Sequence, residues 1–156
     1  MSLLIDKYTP KNFKDFIINK SIANNILKII DINCFMNIIF YGIKGTGKYT
    51  LSMALLNEYY GEEIYNKKNT IYKVKIGNNI KELNILHSNY HFEIFINNYL
   101  FNDKVTIINL LNQIIDNLNI QTNKYNIILI KNIDNVNRLN LKYFSTVLQK
   151  YSNTCR

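Results

Sequence analysis

Gly42, Ile43, Lys44, Gly45, Thr46, Gly47 and Lys48 are the residues whose types and spacing most directly suggest chemistry. A glycine, four residues and then Gly-Lys is a spacing that lets successive backbone N–H groups wrap a polyphosphate, with the lysine reaching its outer phosphates. The following position ordinarily carries a Ser or Thr whose hydroxyl holds magnesium. Here it is Tyr49. A phenol on a rigid ring stands several ångströms too far out to replace that oxygen. Thr50 comes one residue late, and one helical step turns a side chain by about 100°.

Phosphoryl chemistry also needs an acidic group at the end of a later strand. The candidate strand YNIILI (125–130) runs instead into Lys131 and Asn132, with Asp134 two positions further on. A cation stands where the metal belongs, and an amide cannot act as a base toward water. The pattern therefore predicts an anion cradle without the metal that would make the anion reactive.

These residues must be held by particular elements. NIIFY (37–41) is a short apolar run ending at Gly42, as a buried parallel strand would be. KYTLSMALLNEYYG follows with helical spacing and a terminal Gly61. Ser21 is a candidate cap for a helix through SIANNILKII, with Ile22, Ile26 and Ile29 or Ile30 on one face. TIYKVKIG (70–77) alternates like a strand, and YHFEIFI (90–96) reads as another. DKVTIINLLNQIIDNL (103–118) and NRLNLKYFSTVLQKY (137–151) carry helical stripes. Strands alternating with helices predict an α/β domain with a parallel sheet flanked by helices.

The 156 residues are one domain's worth of chain, 47% hydrophobic and 19% charged. The net charge of +8 suits an anionic partner such as nucleic acid, or simply a solvated basic surface. Cys34 and Cys155 have no pairing or metal spacing, which suggests a reducing compartment. His87 and His91 are four apart and could share a helix face, but no third ligand supports a zinc site. No signal layout or membrane-length apolar run is present, so the expectation is an intracellular, soluble protein with no membrane partner.

Several stretches in collinear order resemble replication factor C small subunits, the AAA+ clamp-loader proteins. LLIDKYTPKNFKDF is similar to their opening V-x-K-Y-R-P-type segment, and NIIFYGIKGTGKYTLSMALLNEYYG to their first strand, phosphate loop and helix. HSNYHFEIFINNYLFNDKVTIINLL resembles the S-N-Y-H-h-E-h strand and D-R-V-V-I helix of the small subunit whose loop and acidic motif are degenerate and non-hydrolysing. IILIKNIDNVN stands where the family writes h-h-h-h-D-E-x-D-x-h-T, and LQKYSNTCR is similar to M-E-K-Y-x-S-T-C-R.

The resemblance implies a P-loop AAA+ fold, of which residues 1–156 would be the N-terminal portion. It implies ATP or ADP as cofactor, without a tightly held magnesium, at Gly42 through Thr50, with Tyr8 and Pro10 beside the adenine. Lys104 stands at an Arg-rich family position facing the DNA backbone, although a solvated helix-start lysine fits the residues nearly as well. Lys44 leaves two readings open, added charge at the phosphates or a solvent-facing side chain. The implied partners are other clamp-loader subunits in a hetero-pentamer, a sliding clamp and primer–template DNA. The setting would be a nucleus or a viral replication compartment.

The departures count as well. Thr9 replaces the Arg of the opening motif, Ile43 and Lys44 replace Pro/Ser-type loop residues, and Lys131 and Asn132 replace the acidic pair. Ser145 and Thr146 stand where the family carries paired arginines, which puts contacts to a neighbouring subunit's site in question. In the family, Arg156 comes just before the sensor-1 strand, which lies between the loop strand and the acidic-motif strand. The arginine-finger segment, lid and collar follow it. The expectation is a truncated product or a fragment of a larger subunit, with NIIFY and YNIILI unable to pair directly. The leading function is a nucleotide-binding, non-hydrolysing clamp-loader subunit. The alternatives are an active P-loop ATPase using Asp134 and Thr50 as displaced metal ligands, and a decayed interaction module without nucleotide binding.

Overall fold

The computed structural model describes residues 3–30, 37–76, 79–96, 104–116 and 127–151. Cys34, Cys155, Asp103 and the ends of several expected elements (117–118, 125–126 and 152–156) lie outside the described residues. The chain divides into two compact units, Met1–Tyr65 and Asn66–Arg156.

The first unit is helical. It contains α1 (Leu4–Tyr8), a 3-10 turn (Phe13–Asp15), α2 (Lys20–Ile30), α3 (Lys48–Tyr60) and a second 3-10 turn (Glu62–Tyr65). Asn12 and Asp15 cap each other across the first turn, which lets Phe13 and Phe16 enter the core. There they meet Ala23, Ile26, Leu51, Ala54 and Leu55. Each fully buried Leu, Ile or Phe contributes about 1.5–3 kcal/mol. Ser21 is not the cap of α2, because the helix starts one residue earlier and the Ala23 N–H donates to the Asn19 carbonyl at 3.0 Å. The buried stripe accordingly runs through Ala23 and Ile26, while Ile22 is exposed.

Residues 37–41 correct another expectation. Ile38 and Phe40 pack against this core while Ile39 and Tyr41 are 82% and 93% exposed. The alternation is that of a strand, yet among the described residues the segment joins no ladder. A strand needs a neighbour for its N–H and C=O groups, and apolar sequence alone does not supply one. Gly61 ends α3 as its position suggests, at a positive φ of 87° that favours glycine, with its N–H on the Asn57 carbonyl.

The second unit is α/β. Strands β1 (Lys68–Ile76), β2 (Asn79–His87), β3 (His91–Phe95) and β4 (Ile127–Lys131) form a sheet in the order β1-β2-β3-β4. Only β3 and β4 are parallel, and the other two pairings are antiparallel. The expected α/β architecture with a helix-flanked sheet is present, and the sheet is mixed, with β3–β4 as its parallel pair. β1 and β2 are separated by two residues, too few for the crossover that parallel strands require.

Helices α4 (Lys104–Asp116) and α5 (Arg138–Lys150) share one core with Tyr72, Val74, Leu83, Ile85, Phe92, Ile94 and Ile128 of the sheet. The Asn137 side chain caps α5 by accepting from the Asn140 N–H. Asn109 and Gln113, one turn apart on α4, donate to the carbonyls of Lys75 and Lys73 at 3.2 and 3.1 Å. Those carbonyls lie two residues apart and so share one edge of β1, which α4 thereby covers in part. No helix among the described residues is long and apolar enough to cross a membrane.

Candidate functional site

In the first unit, Gly42, Gly45 and Gly47 have φ values of 143°, 88° and 81°. A Cβ at Gly45 or Gly47 would meet nothing within 4 Å, so backbone conformation rather than space calls for glycine there. Gly47 immediately precedes the first turn of α3, which aims that helix's unpaired N–H groups at the loop. Lys48 folds back over the turn, its ammonium donating to the carbonyls of Gly42 at 2.7 Å and Ile43 at 2.8 Å. The Thr46 hydroxyl donates to the same Ile43 carbonyl at 2.8 Å. Lys44 is exposed, as is Ile43.

A polyphosphate suits these donors, since the loop offers backbone N–H groups, a helix start and one ammonium. Magnesium suits them less well. Position 49 is a 42% exposed tyrosine, and the nearby Ser52 hydroxyl donates back to the Lys48 carbonyl. Thr50 is half-buried on the first turn of α3.

Tyr8 closes α1 with its ring exposed, and Pro10 follows in the next segment. That segment is pinned by a residue the sequence did not single out. Asn57 of α3 donates to the Lys11 carbonyl at 3.1 Å and to Asn12 Oδ1 at 2.9 Å. Its own Oδ1 is buried without a hydrogen-bond partner. Asn57→Ala removes two bonds and also one unsatisfied acceptor, so the expected loss is about 1 kcal/mol rather than 2 or 3. Urea unfolding of the two proteins checks this.

In the second unit, Lys131 ends β4 and does not project as a free cation. Its ammonium lies 2.7 Å from Oε2 of Glu93, whose side chain is fully buried on the neighbouring strand β3. Lys67 pairs with the other carboxylate oxygen, and His91 Nε2 lies 3.2 Å from it. Burial alone would raise the Glu93 pKa, but the hydrogen bonds from His91, Lys131 and Lys67 and the Lys67 charge outweigh it. They hold the carboxyl well below the usual range.

His91 is itself oriented. Ser88 Oγ lies 2.6 Å from His91 Nδ1 and accepts the N–H groups of Tyr90 and His91. With both acceptor sites used, the Ser88 hydroxyl proton is left to donate to Nδ1, which assigns the ring proton to Nε2, facing Glu93. His87 lies on another strand and stacks on Phe92, so the two histidines share no helix face.

Asn132 follows Lys131 in a left-handed conformation, φ 57°, which asparagine tolerates better than glutamate does. Asp134 sits exposed in the next 3-10 turn, Ile133–Asn135. Lys104 is the first residue of α4, and its side chain is outside the described residues. Ser145 and Thr146 are exposed on α5, with the Thr146 hydroxyl turned onto the Lys142 carbonyl. Sequence reading noted His91 only for its spacing from His87, ran the S-N-Y-H-h-E-h resemblance through Ser88, His91 and Glu93 without giving them a role, and did not single out Lys67. The available signal was an acid inside the apolar run YHFEIFI and a lysine closing YNIILI.

An α/β chain with three glycines of positive φ opening a helix is a P-loop protein in architecture. No family model matches the chain. It is 30% identical over 161 residues to replication factor C subunit 3 of Arabidopsis thaliana, covering 99% of this chain and 46% of that protein. Subunit 5 of Saccharomyces cerevisiae is 34% identical over 116 residues, 73% of this chain and 33% of that protein. Human subunit 3 is 28% identical over 165 residues, all of this chain and 45% of that protein. The chain is thus a homologue of the replication factor C small subunits along nearly its whole length, and the AAA+ P-loop fold follows from that kinship. It spans about half the length of the curated relatives it matches.

Proposed function

We propose that this chain is the N-terminal, nucleotide-binding portion of a clamp-loader small subunit that holds ATP or ADP without hydrolysing it. In that role it contributes to ATP-dependent loading of a sliding clamp onto primer–template DNA, in a nucleus or a viral replication compartment. The phosphates lie on the turn from Gly42 to Lys48, with Thr50 at its exit and Tyr8 and Pro10 on the base side. The observation that carries the reading is the ion pair of Lys131 with Glu93. The end of β4, where the family's acidic motif stands, holds a cation that already has a buried carboxylate partner. Turnover belongs to other subunits.

Exposed apolar residues support work inside an assembly. Ile17, Ile18, Ile39, Tyr41 and Ile43 are each at least 78% exposed. The hetero-pentamer, the clamp and DNA are the partners proposed, with Lys104 tracking the phosphate backbone. The net charge of +8 agrees with a DNA partner.

Labelled ATP titrated in magnesium and then in chelator, followed by phosphate release, is the test. Comparable affinity in both and no released phosphate are expected, and magnesium-dependent hydrolysis defeats the reading. Asp134→Ala is expected to leave nucleotide affinity unchanged, whereas an ATPase using displaced ligands loses turnover with it. Absence of any ATP binding, with partner capture retained, points to an interaction module.

A further inference from the structure

Asn19 is one of two non-glycine residues with positive φ among the described residues, at 63°. Left-handed backbone costs an L-residue about 1 kcal/mol and persists where neighbouring contacts over-determine it. Ile17 and Ile18, which precede it, are 94% and 78% exposed, so burial does not fix this turn. Two bonds do. The Asn19 carbonyl accepts from the Ala23 N–H at the start of α2, and the Asn19 amide donates to the Thr46 carbonyl at 3.2 Å. The strained residue thus spans 27 positions of sequence to reach the middle of the glycine loop.

The chemistry of a peptide plane gives this bond a consequence. In a trans peptide the C=O of one residue and the N–H of the next point in opposite directions. Holding the Thr46 carbonyl toward Asn19 therefore turns the Gly47 N–H the other way. The Gly47 carbonyl is held by the Leu51 N–H at 2.9 Å, so the Asn19 bond fixes the peptide plane on the other side of Gly47, where no neighbour lies within 4 Å of a Cβ position. The bond also feeds the rest of the loop, because the Thr46 hydroxyl and the Lys48 ammonium both donate to the Ile43 carbonyl.

We propose that Asn19 is the positioning residue of the glycine loop, fixing the Thr46–Gly47 peptide so that the Gly47 N–H is aimed at a phosphate of a nucleoside diphosphate or triphosphate. This rests on the nucleotide reading above. Asn19 acts through the loop and touches no ligand atom itself.

Asn19→Gly keeps the left-handed backbone and removes only the donor. Asn19→Asp keeps a residue that tolerates that backbone but sets an anionic acceptor against the Thr46 carbonyl. ADP affinity by calorimetry is expected to fall about three- to tenfold in Asn19→Gly and further in Asn19→Asp. The unfolding midpoint of ligand-free Asn19→Gly should not fall. The Gly47 amide resonance should shift on ADP addition in the wild type and much less in Asn19→Gly, a change that a purely structural role would not produce. ADP affinity within about twofold of wild type, or an unchanged Gly47 shift, overturns the proposal. A wild-type chain that binds no ADP removes the nucleotide reading and this one with it, whereas wild-type binding with Asn19→Gly at parity removes this one alone.

Discussion

Lys131→Asp is expected to destabilise the chain by about 3–5 kcal/mol and to confer no magnesium-dependent turnover. On sequence grounds the change looks like a repair, since it returns the first acid of the family motif. The structure makes it damaging. Position 131 lies beside Phe95 at the end of the parallel β3–β4 ladder, and its ammonium sits 2.7 Å from the Glu93 carboxylate. Aspartate there removes one of the cations that hold a fully buried carboxylate and adds a like charge near it.

Lys131→Met separates the two effects. It removes the cation without adding an anion and leaves Glu93 with Lys67 and His91, so a smaller loss is expected. Denaturant unfolding at neutral pH ranks the three proteins. A Lys131→Asp protein as stable as wild type would mean that the Lys131–Glu93 pair carries little. Extending the repair with Asn132→Glu adds a backbone penalty, because φ at 132 is 57°.

How far the sequence could be read depended on where each element's partners lie. The helices at 104–116 and 138–150 were legible because their stripes, Ile107-Leu110-Leu111-Ile114 and Leu141-Phe144-Val147-Leu148, are local and periodic. β2 was passed over because Glu82 and Asn84 interrupt the apolar residues Leu83 and Ile85, and the exposed Leu86 breaks their alternation. The continuous apolar run at 37–41 read as a strand, and the expectation that it could not pair directly with the 125–130 run came from the family resemblance, since a ladder is a property of two segments. Among the described residues it joins none.

The candidate site divides in the same way. The glycine turn follows from Gly42, Gly45 and Gly47 alone, and all three have positive φ in the fold. Asn19 was not singled out because its partner lies 27 residues away, and the role of Glu93 was not legible because its lysine Lys131 lies 38 residues on. One principle accounts for both, namely that a buried or strained polar group must find its partner wherever the fold brings one. Lys131 read from sequence as the loss of a metal ligand. In the folded chain it is also half of an ion pair, which gives the substitution a structural role of its own.

That ion pair also predicts an acid limb to the stability curve. In the folded chain the Glu93 pKa is depressed, while in the unfolded chain it returns to the ordinary carboxyl value of about 4.5. A depressed carboxyl contributes stability that is fully present above the unfolded value and is lost as pH falls from there toward the folded value. Over that interval this one group removes up to about 1.4 kcal/mol per pH unit. Glu93→Gln keeps the shape of the side chain but cannot ionise, and it strands Lys67 and Lys131 beside a neutral amide. It is therefore expected to be less stable than wild type by about 3–5 kcal/mol at neutral pH. The gap should hold from neutral pH to about pH 5 and then narrow steadily as pH falls further, because the unfolded wild-type chain takes up a proton at Glu93 that the folded chain resists. Unfolding curves of both proteins across this range measure the difference directly. A gap that stays constant to the acid end would mean that Glu93 gains nothing from its charge, and that His91, Lys67 and Lys131 hold it only as hydrogen-bond donors.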